Sequence, residues 1–162
     1  MTKTNSGNFF EDFRVGQEIV HATPRTVTSG DVALYTALYG GRFAVQSADS
    51  FAQAIGYERA PVDDLLVFHV VFGKTVPDIS LNAVANLGYA GMRFLAAVYP
   101  GDTLRAESKL ISKRRMNSRR EMGLMKTETT VYNQNDEIVL TMTQRMYSST
   151  VSPCWLIPRE RT

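Results

Sequence analysis

Cysteine is nearly missing from this chain: Cys154 stands alone among 162 residues, so no internal disulfide can brace the fold and a free thiol is expected. Long apolar runs are missing too. The longest, Leu65–Phe72, is broken by His69 and falls far short of the ~20 residues that cross a bilayer. Met1–Asp12 has neither the basic start nor the apolar stretch of a secretion signal, which leaves the cytoplasm as the expected location and no membrane as partner. Nor is there an excess of one charge, since 18 Lys and Arg against 16 Asp and Glu give a net charge of +2, too little to argue for nucleic acid. No His, Cys, Asp and Glu fall at metal-ligand spacing, so no metal or cofactor is expected. No repeat, low-complexity tract or shift of composition marks a second domain.

What is present is a globular balance, 44% hydrophobic and 21% charged, in a length that suits one domain with its own core. Residues 13–28 read as an extended opening segment. Thr28-Ser29-Gly30-Asp31 offers capping groups ahead of Val32, Leu34, Tyr35 and Leu38, a short helix stopped at Gly40-Gly41. Residues 47–55 read similarly, with Ser47 or Asp49 as cap and Gly56 as stop.

The run at 65–72 could be buried strand or buried helix by periodicity alone. Its ends decide for helix: Asp63 and Asp64 suit a start, Gly73 and Lys74 an end. A helix that is apolar all round must be wrapped by protein. Strand-like segments follow at 81–89, 93–98, 103–112 and 123–132, then a turn at Asn133-Gln134-Asn135-Asp136 and a last strand through Met146. The expectation is an α+β fold, one antiparallel sheet curved around a central helix at about residues 63–75. The domain is expected over residues 9–147, with a flexible N-terminus at 1–8 and a C-terminal tail at 148–162.

The stretch Gly40–Ala52 resembles the signature loop of MaoC-type hotdog enoyl-CoA hydratases, Gly-Asp-x-Asn-Pro-apolar-His-x-Asp-x-x-aromatic-Ala. Gly40, Val45, Phe51 and Ala52 fall on matching positions, while Gly41 replaces the Asp, Phe43 the Asn and Gln46 the His. Residues 13–17, 25–28 and 98–104 carry further landmarks. More narrowly, residues 7–13, 21–28, 33–40 and the whole run 60–90 are similar to the first half of the mesaconyl-CoA hydratase (β-methylmalyl-CoA dehydratase) family. The resemblance implies a hotdog domain, a CoA-thioester ligand and a hydro-lyase setting, normally with two hotdog units in one chain. It also implies a homodimer or pairing with another hotdog subunit, which physical reasoning supports, because a single curved sheet leaves an edge to cover.

Hydration of an enoyl thioester needs one group to deprotonate water and another to protonate the α carbon. Glycine has no side chain and a glutamine amide does not titrate, so degenerate Gly41 and Gln46 imply binding without proton transfer, or a partner that supplies it. Arg42 and Gln46 are candidates to hold a substrate carboxylate or thioester carbonyl, Arg being suited to bidentate carboxylate pairing. Asp63 and Asp64 are candidate catalytic carboxylates for an alternative thioesterase reading, against which stands plain helix capping. Asp49 reads as a cap. A purely structural hotdog subunit is a third reading.

His69 reads as a hydrogen-bonded core histidine, and His21 as structural or exposed, with no functional role. The dense run Lys113–Arg120 carries Arg114, Arg115, Arg119 and Arg120, a candidate clamp for CoA phosphates, with a solvated hairpin tip as the plainer account. Gly88 to Gly91 and Gly40-Gly41 read as turn glycines.

Overall fold

The computed structural model describes residues 7–150 apart from Thr23 and Arg42. The expectations for residues 1–6, for Arg42 and for Cys154 in the tail therefore lie outside the described residues.

The first helix, α1 (Ser29–Tyr39), begins where the capping chemistry places it. The Thr28 hydroxyl accepts from the Asp31 N–H at 3.1 Å, and the Asp31 carboxylate accepts in return from the Thr28 N–H at 2.9 Å. These backbone and hydroxyl bonds from Thr28 hold the Asp31 carboxyl below its usual range despite some desolvation, with Arg25 adding to the effect. The box therefore supports the helix at neutral pH and is lost as pH falls through that lowered value. Gly40, at φ 75°, ends the helix with its N–H on the Thr36 carbonyl.

Helix α2 (Asp49–Ala54) is capped by Ala48, not by Ser47 or Asp49; the Asp49 carboxylate instead accepts from the Ala60 N–H at 2.9 Å and ties down the following loop. Helix α3 (Asp64–Thr75) matches the expected central helix, with the Asp63 carboxylate accepting from the Leu65 N–H at 2.8 Å, and runs on into a π turn at Val76–Ser80.

Among the described residues six strands form the expected antiparallel sheet: β1 (Glu18–Val20), β2 (Arg25–Thr26), β3 (Ala83–Phe94), β4 (Thr103–Arg115), β5 (Met122–Tyr132) and β6 (Ile138–Ser149). The sheet order is β1-β4-β5-β6-β3, and β2 also pairs with β4. Burial alternates residue by residue along β4, β5 and β6, the signature of a sheet with one dry and one wet face. The last strand carries on to Ser149, two residues beyond the expected domain end.

Two expectations about this sheet are corrected. Residues 81–89 and 93–98 are not two strands: β3 is continuous, and Gly88 (φ 133°) and Gly91 (φ 60°) lie at bulges within it, where register shifts occur. The basic run is not all connection either, because β4 continues through Arg115 before the chain turns.

The dry face of the sheet packs two apolar clusters. One gathers Val67, Phe68 and Val71 of α3 against Leu104, Val131, Leu140 and Met142; the other joins Phe10 and Phe13 to Ile79, Leu110, Met125 and Met146. Between them runs a polar belt of buried Ser108, Thr127, Thr129 and Gln144.

His21 closes one end of this belt, and burial to 3% makes it structural rather than exposed. Its Nδ1 sits 2.7 Å from an Asp78 carboxylate oxygen and its Nε2 2.9 Å from Ser108 Oγ, which is itself 2.8 Å from Thr129 Oγ1. The ring thereby pins the strand-end segment after β1 to the far end of the central helix. His21→Ala would leave Ser108 and Asp78 short of a partner and is expected to cost about 2–3 kcal/mol of unfolding free energy, read by denaturant titration. A cost below about 0.5 kcal/mol would show the network to be incidental.

His69 is corrected in the opposite sense. It is exposed, on a face of α3 that the sheet does not cover, with its ring 6.3 Å from Tyr35 and 5.5 Å from Phe68. The sheet wraps one side of α3 and α1 reaches only part of the other, burying Tyr35 while Leu34 and Leu38 stay 63% and 66% exposed. Among the described residues no helix is long and apolar enough to cross a membrane.

Candidate functional site

The signature loop leaves α1 at Gly40, forms a 3-10 turn at Ala44–Gln46 and enters α2. The Val62 N–H on the Val98 carbonyl, 2.7 Å, ties the entry to α3 against the segment after β3. Loop, helix start and strand end thus meet around one cavity of about 330 Å³, lined by Phe43, Val45, Gln46, Tyr57, Asp64 and Phe94, with Leu95 beside them. A volume of that order suits a small ligand group. Its walls are of mixed polarity, and Gln46 and Asp64 are the polar side chains argued from the sequence that reach it.

Gln46 has a second face. It lines a recess of about 10 Å³ with Gly41, Asp63 and Leu66, roughly the room one water needs. Its Oε1 is buried without a hydrogen-bond partner. A buried amide oxygen left unpaired is costly, so this atom is set to receive a donor from water or ligand.

Of the two candidate carboxylates, Asp63 is engaged as the cap of α3, and Asp64 is exposed in the first turn, facing the larger cavity. At Gly41 a Cβ would stand 3.1 Å from Ser47 Cβ and 3.3 Å from Ser47 Oγ, so the backbone has little room for the aspartate expected at that place. No histidine lines the cavity among the described residues: His21 is sealed beside Asp78, and His69 faces a separate groove with Tyr35 and Leu38. The Asp78–His21–Ser108 order has the connectivity of a nucleophilic triad, yet Ser108 is 3% exposed and occupied by Thr129, so no substrate carbonyl can meet it.

The basic run is split by the sheet. Lys113 and Arg115 turn toward the N-terminal segment, Lys113 Nζ donating to the carbonyls of Phe10, at 3.1 Å, and Phe13, and Arg115 pairing with Glu11 at 2.6 Å. Arg114 points the other way, and Arg119 and Arg120 occupy the turn before β5. None of these reaches the 330 Å³ cavity. Tyr57, Phe94 and Leu95 were not singled out by the sequence; they come from segments that approach the loop only through the fold.

Comparison with known proteins gives consistent results. The family model for mesaconyl-CoA hydratase matches residues 1–152. The chain is 67% identical over 138 residues to β-methylmalyl-CoA dehydratase of Chloroflexus aurantiacus and 59% identical over 138 residues to mesaconyl-CoA hydratase of Cereibacter sphaeroides; these alignments take in 85% of this chain but 39% and 40% of those proteins. The chain therefore spans about two fifths of the length of these curated relatives. Among solved structures, one assigned as a MaoC domain protein dehydratase from Chloroflexus aurantiacus superposes with a TM-score of 0.89 at 57% identity, covering 100% of this chain and 46% of that one. A Mycobacterium tuberculosis protein with a double hotdog fold superposes at 0.81 with 25% identity, covering 92% of this chain and 46% of its own.

Proposed function

The chain belongs to the mesaconyl-CoA hydratase family, and from that premise we propose that it is an acyl-CoA-binding hotdog unit whose proton-transfer groups must come from a second unit. The observation that carries this reading is the cavity at the signature loop, which has aromatic and aliphatic side chains in its wall and a Gln46 amide with a buried, unpartnered oxygen, but receives no imidazole among the described residues. The buried Oε1 can accept from a water and the Nε2 can donate to a thioester carbonyl, but the amide does not carry a proton between them. The substrate would be a branched, short enoyl-CoA of the kind named by the two curated relatives.

The second unit has a place to dock. Strand β3 is an edge strand of 12 residues, exposed along most of its length, with Val84, Leu87, Phe94 and Leu95 open to solvent. A long open edge with apolar side chains invites another strand, and relatives more than twice as long leave room for such a unit in one chain. A second copy could cover this edge, but the missing acid and base would have to come from a hotdog unit of different sequence, in the same polypeptide or in another subunit; the cytoplasm is the proposed setting.

The purified chain alone is expected to sediment as a dimer, to gain thermal stability with an acyl-CoA, and to hydrate mesaconyl-CoA no faster than the buffer background, followed by the enoyl-thioester absorbance. Turnover at an ordinary enzymatic rate, above about 1 per second, would overturn the partner requirement; absence of any CoA-dependent stabilisation would overturn the binding role and leave a structural subunit. Asp64 at the cavity keeps the thioesterase reading open to the same sample. Thiol release abolished by Asp64→Ala would establish it in place of the hydratase reading.

A further inference from the structure

We infer a second, anion-binding site on the outer face of the sheet, formed by Arg114, Lys126 and Arg145, with the chemistry to hold a phosphoryl or diphosphoryl group. The argument starts from strand register. Lys126 of β5 and Arg145 of β6 are direct cross-strand partners, and residues so paired stand roughly 4.5–5.5 Å apart at Cβ. Arg114 of β4 pairs with Leu124, two residues from Lys126 on the same face, a diagonal separation of roughly 7–8 Å. The register shift between Leu110 and Ser112 sets this up: beyond it, Lys113 and Arg115 turn inward to the N-terminal segment and Arg114 turns outward.

Like charges placed directly opposite in a sheet repel. On β4 the outer face pairs Lys109 with Glu18 and Arg105 with Glu107 and Asp136. Arg114, Lys126 and Arg145 have no ion pair among the described residues. They converge instead on a cavity of about 260 Å³ that also takes in Ser112, a hydroxyl donor, and Leu124, an apolar shelf. Arginines offer forked donors matched to phosphate oxygens, and a lysine adds a compact charge.

This site is separate from the acyl cavity. Lys126 and Arg145 adjoin Met125 and Met146, which pack beside Ile79 past the end of α3, whereas Gln46 and Asp64 sit at its start and on the other face of the sheet. A helix of 12 residues spans about 18 Å at 1.5 Å per residue. The inference therefore stands independently of the acyl-CoA reading. One ligand chemistry has two sources here, the nucleotide end of a CoA molecule and a free nucleotide.

The test is calorimetric titration of the full chain with inorganic pyrophosphate at low salt. Wild type is expected to bind, with an affinity that weakens as salt rises, and Lys126→Gln with Arg145→Gln is expected to raise the dissociation constant at least about tenfold. Removing two repelling charges should leave the melting temperature unchanged or higher, which separates lost binding from lost fold. Charge-keeping Arg145→Lys should retain part of the affinity, and Arg119→Gln in the turn should leave it unaltered. Competition then names the source: displacement by adenosine 3′,5′-bisphosphate better than by ADP points to CoA, the reverse to a free nucleotide. No pyrophosphate binding at millimolar concentration, or equal binding by the double variant, overturns the site, as does binding only of a single-stranded oligonucleotide.

Discussion

Hydration of mesaconyl-CoA by the chain alone is expected to rise at least about 100-fold over the unaltered protein when Gly41→Asp, Gln46→His and Ser47→Gly are combined. A positioned general acid or base contributes about 10²–10⁴ in rate, and these substitutions return an imidazole and a carboxylate to the two loop positions that lack them. Ser47→Gly belongs in the set for a steric reason: a Cβ on residue 41 would lie 3.1 Å from Ser47 Cβ, tighter than ordinary contact, so the new carboxylate would otherwise be pushed off line. Gln46 already occupies the cavity wall with a buried terminal atom, and an imidazole there inherits its place. The measurement is the initial rate of enoyl-thioester absorbance change, beside acyl-CoA stabilisation of the same sample. A variant that still binds the thioester but shows no gain in rate would mean that the loop does not present these positions to the reacting atoms, and the reading of the site would fail with it.

Gly123→Ala is expected to lower the free energy of unfolding by about 3 kcal/mol. A Cβ on Gly123 would fall 2.1 and 2.2 Å from ring carbons of Phe10, distances that no repacking within the site can absorb. Phe10 is 4% exposed and shares a cluster with Phe13, Leu110, Met125 and Met146. It must leave that cluster, forfeiting the burial of an aromatic ring and loosening the 3-10 turn at Phe10–Asp12 that Lys113 and Arg115 hold down. A double-mutant cycle separates this cause from others. Phe10→Ala should cost a similar amount, and Gly123→Ala added to it should cost little more, since the clash has already gone. Additive losses would place the damage elsewhere.

Much of the fold was legible because it is written in short-range terms. The capping box of Thr28 and Asp31, the Asp63 cap and the apolar run of the central helix are each satisfied within a few residues, so α1 and α3 appear where they were expected. The alternation of β4 and β6 was visible for the same reason, and the loop from Gly40 to Ala52 was found through its resemblance to a family signature. Three things were not legible. A break was expected between residues 89 and 93, where paired β6 instead carries β3 through a register shift between Ala90 and Arg93. His69 sits in an apolar sequence but on the side of α3 away from the sheet, which α1 covers only in part among the described residues, and His21 looks unremarkable until Asp78 and Ser108, 57 and 87 residues away, close around it.

The sequence by itself determined the central helix and its cap, the wet and dry sides of β4 and β6, and the loss of an acid–base pair from the loop that resembles the family signature. Only the tertiary structure decided which side chains stand together: Gln46 and Asp64 at one cavity, and Arg114 with Lys126 and Arg145 while its neighbours in sequence turn inward. The physical reason is that side-chain direction in a strand reverses with every residue, so a single bulge, placed by pairing with another strand, reassigns everything beyond it. Local preference carries no record of such a shift.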